Sequence, residues 1–112
     1  MRERLVAFGI DRVCMSIITS AEIRFGFARK SSPRLEQSMR LLFDIVEVVP
    51  FEAPADLRYG RIRAALERAG TPISGNDLLI AAHALTLDLI LVTANTREFS
   101  RVPDLRLENW LD

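Results

Sequence analysis

Acidic residues stand at three junctions of this chain where a helix is expected to begin: Thr19-Ser20-Ala21-Glu22, Ser74-Gly75-Asn76-Asp77 and Asn95-Thr96-Arg97-Glu98. Each places a capping-type residue three positions before a carboxylate, the spacing of a capping box. One reading is purely structural: Glu22, Asp77 and Glu98 satisfy helix N-termini. The other is chemical. In an open parallel sheet the junctions that leave strand carboxyl ends lie along one edge, where ligands bind. Acids at neighbouring junctions would then converge into an oxygen-rich cluster suited to Mg²⁺ or Mn²⁺, metals that keep several waters and meet a substrate phosphate. The reaction such a cluster serves is metal-assisted hydrolysis of a phosphodiester.

Other chemistries have less support. His83 is the only histidine and lies on an apolar helix, which points to a core or interface position. Cys14, the only cysteine, has no partner for a disulfide or a metal site. The glycines at 26, 60, 70 and 75 are isolated, so no phosphate-binding glycine loop is present. Arg58, Arg61, Arg63 and Arg68 read as a solvated helix face, with an RNA backbone contact as the alternative.

The elements that must position these acids follow from periodicity and punctuation. Arg2 to Phe8 reads as the tail of a helix stopped by Gly9, and Val13 to Ile18 as a short buried strand. Thr19 is expected to cap a helix from Ser20 to about Lys30, and Pro33 to open an amphipathic helix through Ile45. Val46 to Phe51 reads as a second strand. Ala53 to Ala69 reads as a long helix with Leu57, Ile62, Ala65 and Leu66 inward, ended by Gly70. The stretch P-I-S-G-N-D-L-L-I-A-A-H-A-L from Pro72 opens with a turn at Ser74-Gly75 and continues as a helix apolar on most of its circumference, hence buried. Leu89 to Thr93 is the clearest strand, followed by a turn from Ala94 to Phe99 and a last strand around Leu105 to Leu107, before Trp110. Alternation of strands and helices predicts an α/β fold with a mostly parallel sheet flanked by helices.

Length and composition set the frame. A chain of 112 residues fits a single domain, and 49% hydrophobic with 27% charged residues is typical of a soluble globular protein. Fifteen basic residues balance fifteen acidic ones, so a nucleic-acid partner would need a local basic patch. No signal peptide or membrane-spanning stretch is expected, and the lone cysteine suits a reducing cytoplasm.

Four segments in order, S-I-I-T-S-A-E-I-R-F-G from Ser16, P-I-S-G-N-D-L-L-I-A-A-H-A-L from Pro72, L-V-T-A-N-T-R-E-F from Leu91 and the closing L-R-L-E-N-W, resemble PIN-domain ribonuclease toxins of the VapC type. The resemblance covers essentially the whole chain. It implies an endoribonuclease dependent on Mg²⁺ or Mn²⁺ that cuts structured RNA such as tRNA, a VapB-type antitoxin as partner, and a homodimer. Carried over by position, it makes Glu22, Asp77 and Asn95 the catalytic and metal-binding residues, with Ser16, Thr93 and Glu98 as further contacts around them. Asn95 stands where the family often has aspartate. The family's opening strand, which ends in the first catalytic aspartate, has no match before Val13. The resemblance therefore implies a single PIN-like domain shortened at its N-terminus, with the central strand missing from the sheet. It leaves a choice between a nuclease and an inactive remnant that only binds the antitoxin.

Overall fold

The computed structural model describes residues 13–30, 32–93 and 95–109. The expected helix of Arg2 to Phe8, its stop at Gly9, and Trp110 lie outside them. The chain divides into two compact units, Met1–Pro50 and Phe51–Asp112.

In the first unit the apolar run after Val13 does two jobs. Cys14–Ser16 forms strand β1, and helix α1 begins immediately at Ile17 and runs to Lys30. This corrects the expected boundary: Thr19 lies inside the first turn of α1, and Ser16 supplies the hydroxyl, its Oγ accepting from the Ile18 N–H at 3.1 Å. A serine oxygen there takes one of the donors that a helix start leaves without an intrahelical acceptor. Helix α2 spans Pro33–Ile45, with Ser32 as N-cap and proline at the first helical position as expected. Strand β2, Glu47–Val49, is shorter than the run Val46 to Phe51 suggested. Val46 is instead the buried C-cap residue of α2, its N–H donating to the Leu42 carbonyl at 2.9 Å.

Strands β1 and β2 pair in parallel, Cys14 opposite Glu47 and Ser16 opposite Val49, with α1 and α2 forming the crossover. Arg24 of α1 lies over the Phe43 ring of α2, 4.2 Å from its centroid. That contact covers apolar surface and adds a cation–π attraction between the two helices. Burial, and then the Glu47 carboxylate, pushes the Cys14 thiol up from its ordinary value of 9.0.

The second unit is organised around two helices, α3 at Ala55–Arg68 and α4 at Gly75–Thr86, which pack on each other. Ala55 and Leu66 of α3 are buried with Leu78, Ile80, Ala81, Ala82 and Ala84 of α4. His83 is buried too, at 3% exposure, its ring edge-on to Phe51 with centroids 5.4 Å apart, in keeping with a core histidine. Two expected core residues of α3 point elsewhere: Leu57 is 52% exposed and Ala65 is exposed. At 100° per residue Leu57 stands about 180° around the helix from Leu66, so both cannot face α4.

Both helices end in the same way. After α3, Gly70 adopts φ +74°, its N–H donates to the Glu67 carbonyl at 3.1 Å, and the Thr71 N–H donates to Leu66 at 2.9 Å. After α4, Asp88 adopts φ 55°, with matching bonds from Asp88 to Leu85 at 3.2 Å and from Leu89 to Ala84 at 2.9 Å. This is the Schellman arrangement, in which a left-handed residue turns the chain back and satisfies the last carbonyls.

The chain then forms β3 at Leu91–Val92, the short helix α5 at Thr96–Phe99 and β4 at Leu107–Glu108. Strand β3 is shorter than expected, α5 replaces a plain turn, and β4 begins at Leu107 rather than Leu105. Strands β3 and β4 pair in parallel, Leu91 opposite Leu107. Among the described residues each sheet has two strands, and all pairing is parallel, as an α/β class requires. No helix of the described residues is long and apolar enough to cross a membrane.

Candidate functional site

The second unit brings four of the expected site residues together, Asp77, Thr93, Asn95 and Glu98. Helix α4 starts with Ser74 as N-cap, its Oγ accepting from the Asp77 N–H at 3.4 Å. In a capping box the acid at Asp77 would return the favour by accepting from the Ser74 N–H. Here that bond goes to a different acid: Glu98 Oε1, on α5, accepts from the Ser74 N–H at 2.7 Å. The cap of α4 is completed by a residue 24 positions later in the chain.

The Asp77 carboxylate turns instead to Asn95, whose Nδ2 donates to Asp77 Oδ2 across a long 3.4 Å and to Glu98 Oε2 at 2.8 Å. Asn95 is the N-cap residue of α5, yet its side chain makes no capping bond to the backbone. The expected capping box at Asn95–Glu98 is therefore replaced by a bond between the two side chains. Its own N–H is held by Thr93 Oγ1 at 3.0 Å, and the Thr93 N–H donates to the Glu108 carbonyl of β4 at 3.0 Å. Parallel pairing of β3 with β4 thus fixes Thr93, Thr93 fixes the Asn95 backbone, and the Asn95 amide links the two carboxylates.

The electrostatics follow from these bonds. The Ser74 N–H first, then the Asn95 amide and Asp77, hold the Glu98 carboxyl below its ordinary value of 4.5. Hydrogen bonds to the charged form favour that form. Arg101 adds a smaller pull in the same direction, and its Nη1 donates to the Pro72 carbonyl at 2.9 Å, pinning the loop that leads into Ser74. Nothing in local spacing marked Arg101 for this role, because its partner is 29 residues away.

The remaining expected residues belong to the first unit. Ser16 ends β1 and caps α1. Glu22 is the sixth residue of α1, on an exposed surface, and its carboxylate makes no hydrogen bond or ion pair with a described residue. Because α1 begins at Ile17, Glu22 lies beyond the turn in which a carboxylate caps a helix.

Within the second unit the donors are all oxygens: the carboxylates of Asp77 and Glu98 and the amide carbonyl of Asn95. Such a set fits a hard divalent cation that retains water, and offers nothing to a soft one. Among the described residues no group of three or more His, Cys, Asp or Glu side chains gathers to hold a metal by itself. The set is chemically suited to Mg²⁺ or Mn²⁺ but carries less charge than a cluster of three acids.

Comparison with known proteins identifies the family. The PIN domain family model matches residues 2–105. Ribonuclease VapC2 of Rickettsia felis is 38% identical over 101 residues, covering 89% of this chain and 75% of that protein. The tRNA(fMet)-specific endonuclease VapC of Salmonella typhimurium is 36% identical over 113 residues, covering 98% and 83%. The crystal structure of DNA-bound VapBC from Salmonella typhimurium matches with a TM-score of 0.87 at 37% identity, over 97% of this chain and 83% of that one. With a parallel α/β scaffold, an acid-bearing start to α4 and likeness along nearly its whole length, the chain belongs to the PIN-domain family, among the VapC ribonucleases.

Proposed function

We propose that the chain is a metal-dependent endoribonuclease, the toxin of a toxin–antitoxin pair, working in the cytoplasm as one PIN-like domain and as a homodimer. The observation that carries this reading is the division of labour at α4: Glu98 completes the helix cap, and Asp77 is directed at Asn95. A carboxylate whose spacing suits a cap, but whose capping bond is made by another acid, is placed for chemistry instead. The name of the Salmonella relative supports tRNA as the substrate class, and the VapBC structure supports a VapB-type antitoxin as the partner.

Asp77 and Asn95 are the residues of the second unit that would hold the metal, for which Mg²⁺ or Mn²⁺ fits the oxygen donors, and the family resemblance assigns Glu22 the same role. When bound, the ion supplies charge that stabilises the negative phosphoryl oxygens during hydrolysis. Asp77 or Glu22 orients the attacking water and accepts its proton, a carboxylate being a competent base once the proton it takes is made more acidic. Asn95 keeps Asp77 oriented through its amide donor, and Glu98 keeps Asn95 in place. The Thr93 hydroxyl holds the Asn95 backbone beside Asp77.

Cleavage of tRNA in the presence of Mn²⁺ tests the reading, with Asp77→Asn as control. The wild type should cleave, and the variant should be slower by at least about 100-fold, the size of a lost general base. Equal rates would mean that Asp77 has no chemical role and that the chain serves only to bind its partner.

A further inference from the structure

Helix α3 carries a feature that the site does not use. Its four arginines are not equivalent. Arg63 donates through Nε to Glu67 at 2.9 Å and through Nη1 to the Tyr59 hydroxyl at 3.0 Å, and is neutralised in place. Arg58, Arg61 and Arg68 are exposed, and none of their guanidinium groups makes a hydrogen bond or ion pair with a described residue. At 100° per residue these three fall within an arc of about 80°, and the only other residue in that arc is Ala65. Asp56, Arg63 and Glu67 lie on the opposite flank.

The contrast extends to the other described arginines. Arg40 pairs with Glu36, Arg106 pairs with Asp88, Arg101 donates to Pro72, and Arg24 and Arg29 lie over phenylalanine rings. The side chains of Arg34 and Arg97 also lack partners among the described residues, but each stands singly, on α2 and α5. Among the described residues, only α3 lines up three unneutralised cations with no acid among them. Helix stability does not explain the row: Arg68 benefits from the helix C-terminus, but Arg58 stands near the N-terminus, where positive charge is unfavourable. Like charges three residues apart also repel. An anionic ligand running along the helix would relieve both costs.

We propose that Arg58, Arg61 and Arg68 form a binding stripe for the sugar–phosphate backbone of the RNA substrate. This rests on the ribonuclease reading and adds to it where the RNA lies. From Arg58 to Arg68 the stripe covers about 15 Å at 1.5 Å per residue, a length over which a nucleic-acid strand presents several phosphates. Guanidinium groups suit phosphate because their planar fork donates two parallel hydrogen bonds. The side chain at Ala65 is too small to obstruct that approach. Such contacts hold RNA irrespective of its sequence, leaving the choice of cleavage position to the site itself.

The test is the salt dependence of binding to fluorescein-labelled unfractionated tRNA, followed by anisotropy in EDTA so that cleavage does not intervene. Each phosphate contact contributes about 0.7 to 0.9 to the slope of log affinity against log salt. The triple variant Arg58→Gln/Arg61→Gln/Arg68→Gln should therefore flatten the slope by about 2 to 3. Between 50 and 200 mM salt, wild-type affinity should fall about 20- to 40-fold more than that of the variant. Arg63→Gln should change the slope by less than one contact. The triple Arg→Lys variant, which keeps the charge, should retain a slope near the wild type and so exclude misfolding as the cause.

An unchanged slope in the triple glutamine variant, beside a wild type that cleaves tRNA with Mn²⁺, would overturn the stripe and leave the nuclease reading standing. A wild type that neither binds nor cleaves tRNA would overturn both. Loss of polyglutamate binding by the triple variant, with its tRNA slope intact, would show that the stripe serves an acidic protein and would overturn the RNA assignment.

Discussion

The two long helices that start beside an expected site acid, α1 and α4, begin in different ways. At α1 one serine, Ser16, ends the strand and caps the helix, and Glu22 stands well inside it, its carboxylate without a partner among the described residues. At α4 the cap is shared: Ser74 Oγ takes the Asp77 N–H, Glu98 takes the Ser74 N–H, and Asn95 links Glu98 to Asp77. An acid at capping distance in sequence is thus neither a cap nor a ligand until its bonds are traced. At α1 the carboxylate is too deep in the helix to cap it. At α4 the carboxylate is correctly spaced, but an acid from a later helix has taken its place.

The largest change to this contrast is expected from Asn95→Asp. It removes the donor that Asp77 and Glu98 share and adds a like charge beside them, so without metal the protein should lose about 1 to 3 kcal/mol in denaturant unfolding. The same change adds a third acid to the oxygen set. Mn²⁺ should therefore raise the Tm of the variant by more than that of the wild type, because a ligand stabilises in proportion to its affinity for the folded state. An equal response in both would separate Asn95 from the metal.

Glu98→Ala should cost about 1 kcal/mol through the lost cap of α4. It should also alter the acid limb of stability. The folded carboxyl lies below its ordinary value of 4.5, so its contribution is fully present above that pH and is lost as pH falls through the depressed value. The wild type should accordingly lose stability more steeply than the variant below pH 4.5. Parallel curves would show that the Ser74 bond does not stabilise the fold.

The hydroxyls sharpen the contrast further. Ser74→Ala and Ser16→Ala should each cost about 1 kcal/mol, whereas Thr19→Ala, inside α1, should cost no cap and stay within about 0.5 kcal/mol. A large loss at Thr19 would restore the helix start that its sequence suggests. The smallest stability effect is expected at exposed Glu22, where Glu22→Gln should lie within about 0.5 kcal/mol while slowing tRNA cleavage, since its proposed role is chemical.

Local chemistry made much of the scaffold legible. Pro33 after Ser32, Gly70 after α3, and Ser74 before an apolar run each mark a boundary through a backbone preference that acts over a few residues, and each boundary lies where those preferences put it. The start of α1 was not legible because Val13 to Ile18 is apolar across both the strand and the first helical turn, and the serine between them is an inconspicuous marker. The exposure of Leu57 follows from helix phase, which composition alone does not set. The site was legible in its residues but not in its wiring. Asp77, Asn95 and Glu98 stood out by type and offset, yet the bonds from Glu98 to Ser74 and from Arg101 to Pro72 join residues 24 and 29 positions apart. Only the fold of the second unit brings them together.

The central claim is that Asp77 serves a metal and Glu98 serves the helix. Calorimetric titration with Mn²⁺, with no RNA present, tests it directly on the wild type, Asp77→Asn and Glu98→Ala. The wild type should bind, Asp77→Asn should bind at least about 10-fold more weakly, a difference of about 1.4 kcal/mol, and keep its Tm, and Glu98→Ala should lose Tm while its affinity falls by less. Identical isotherms for the wild type and Asp77→Asn, or a loss of Tm at Asp77 matching that at Glu98, would contradict it.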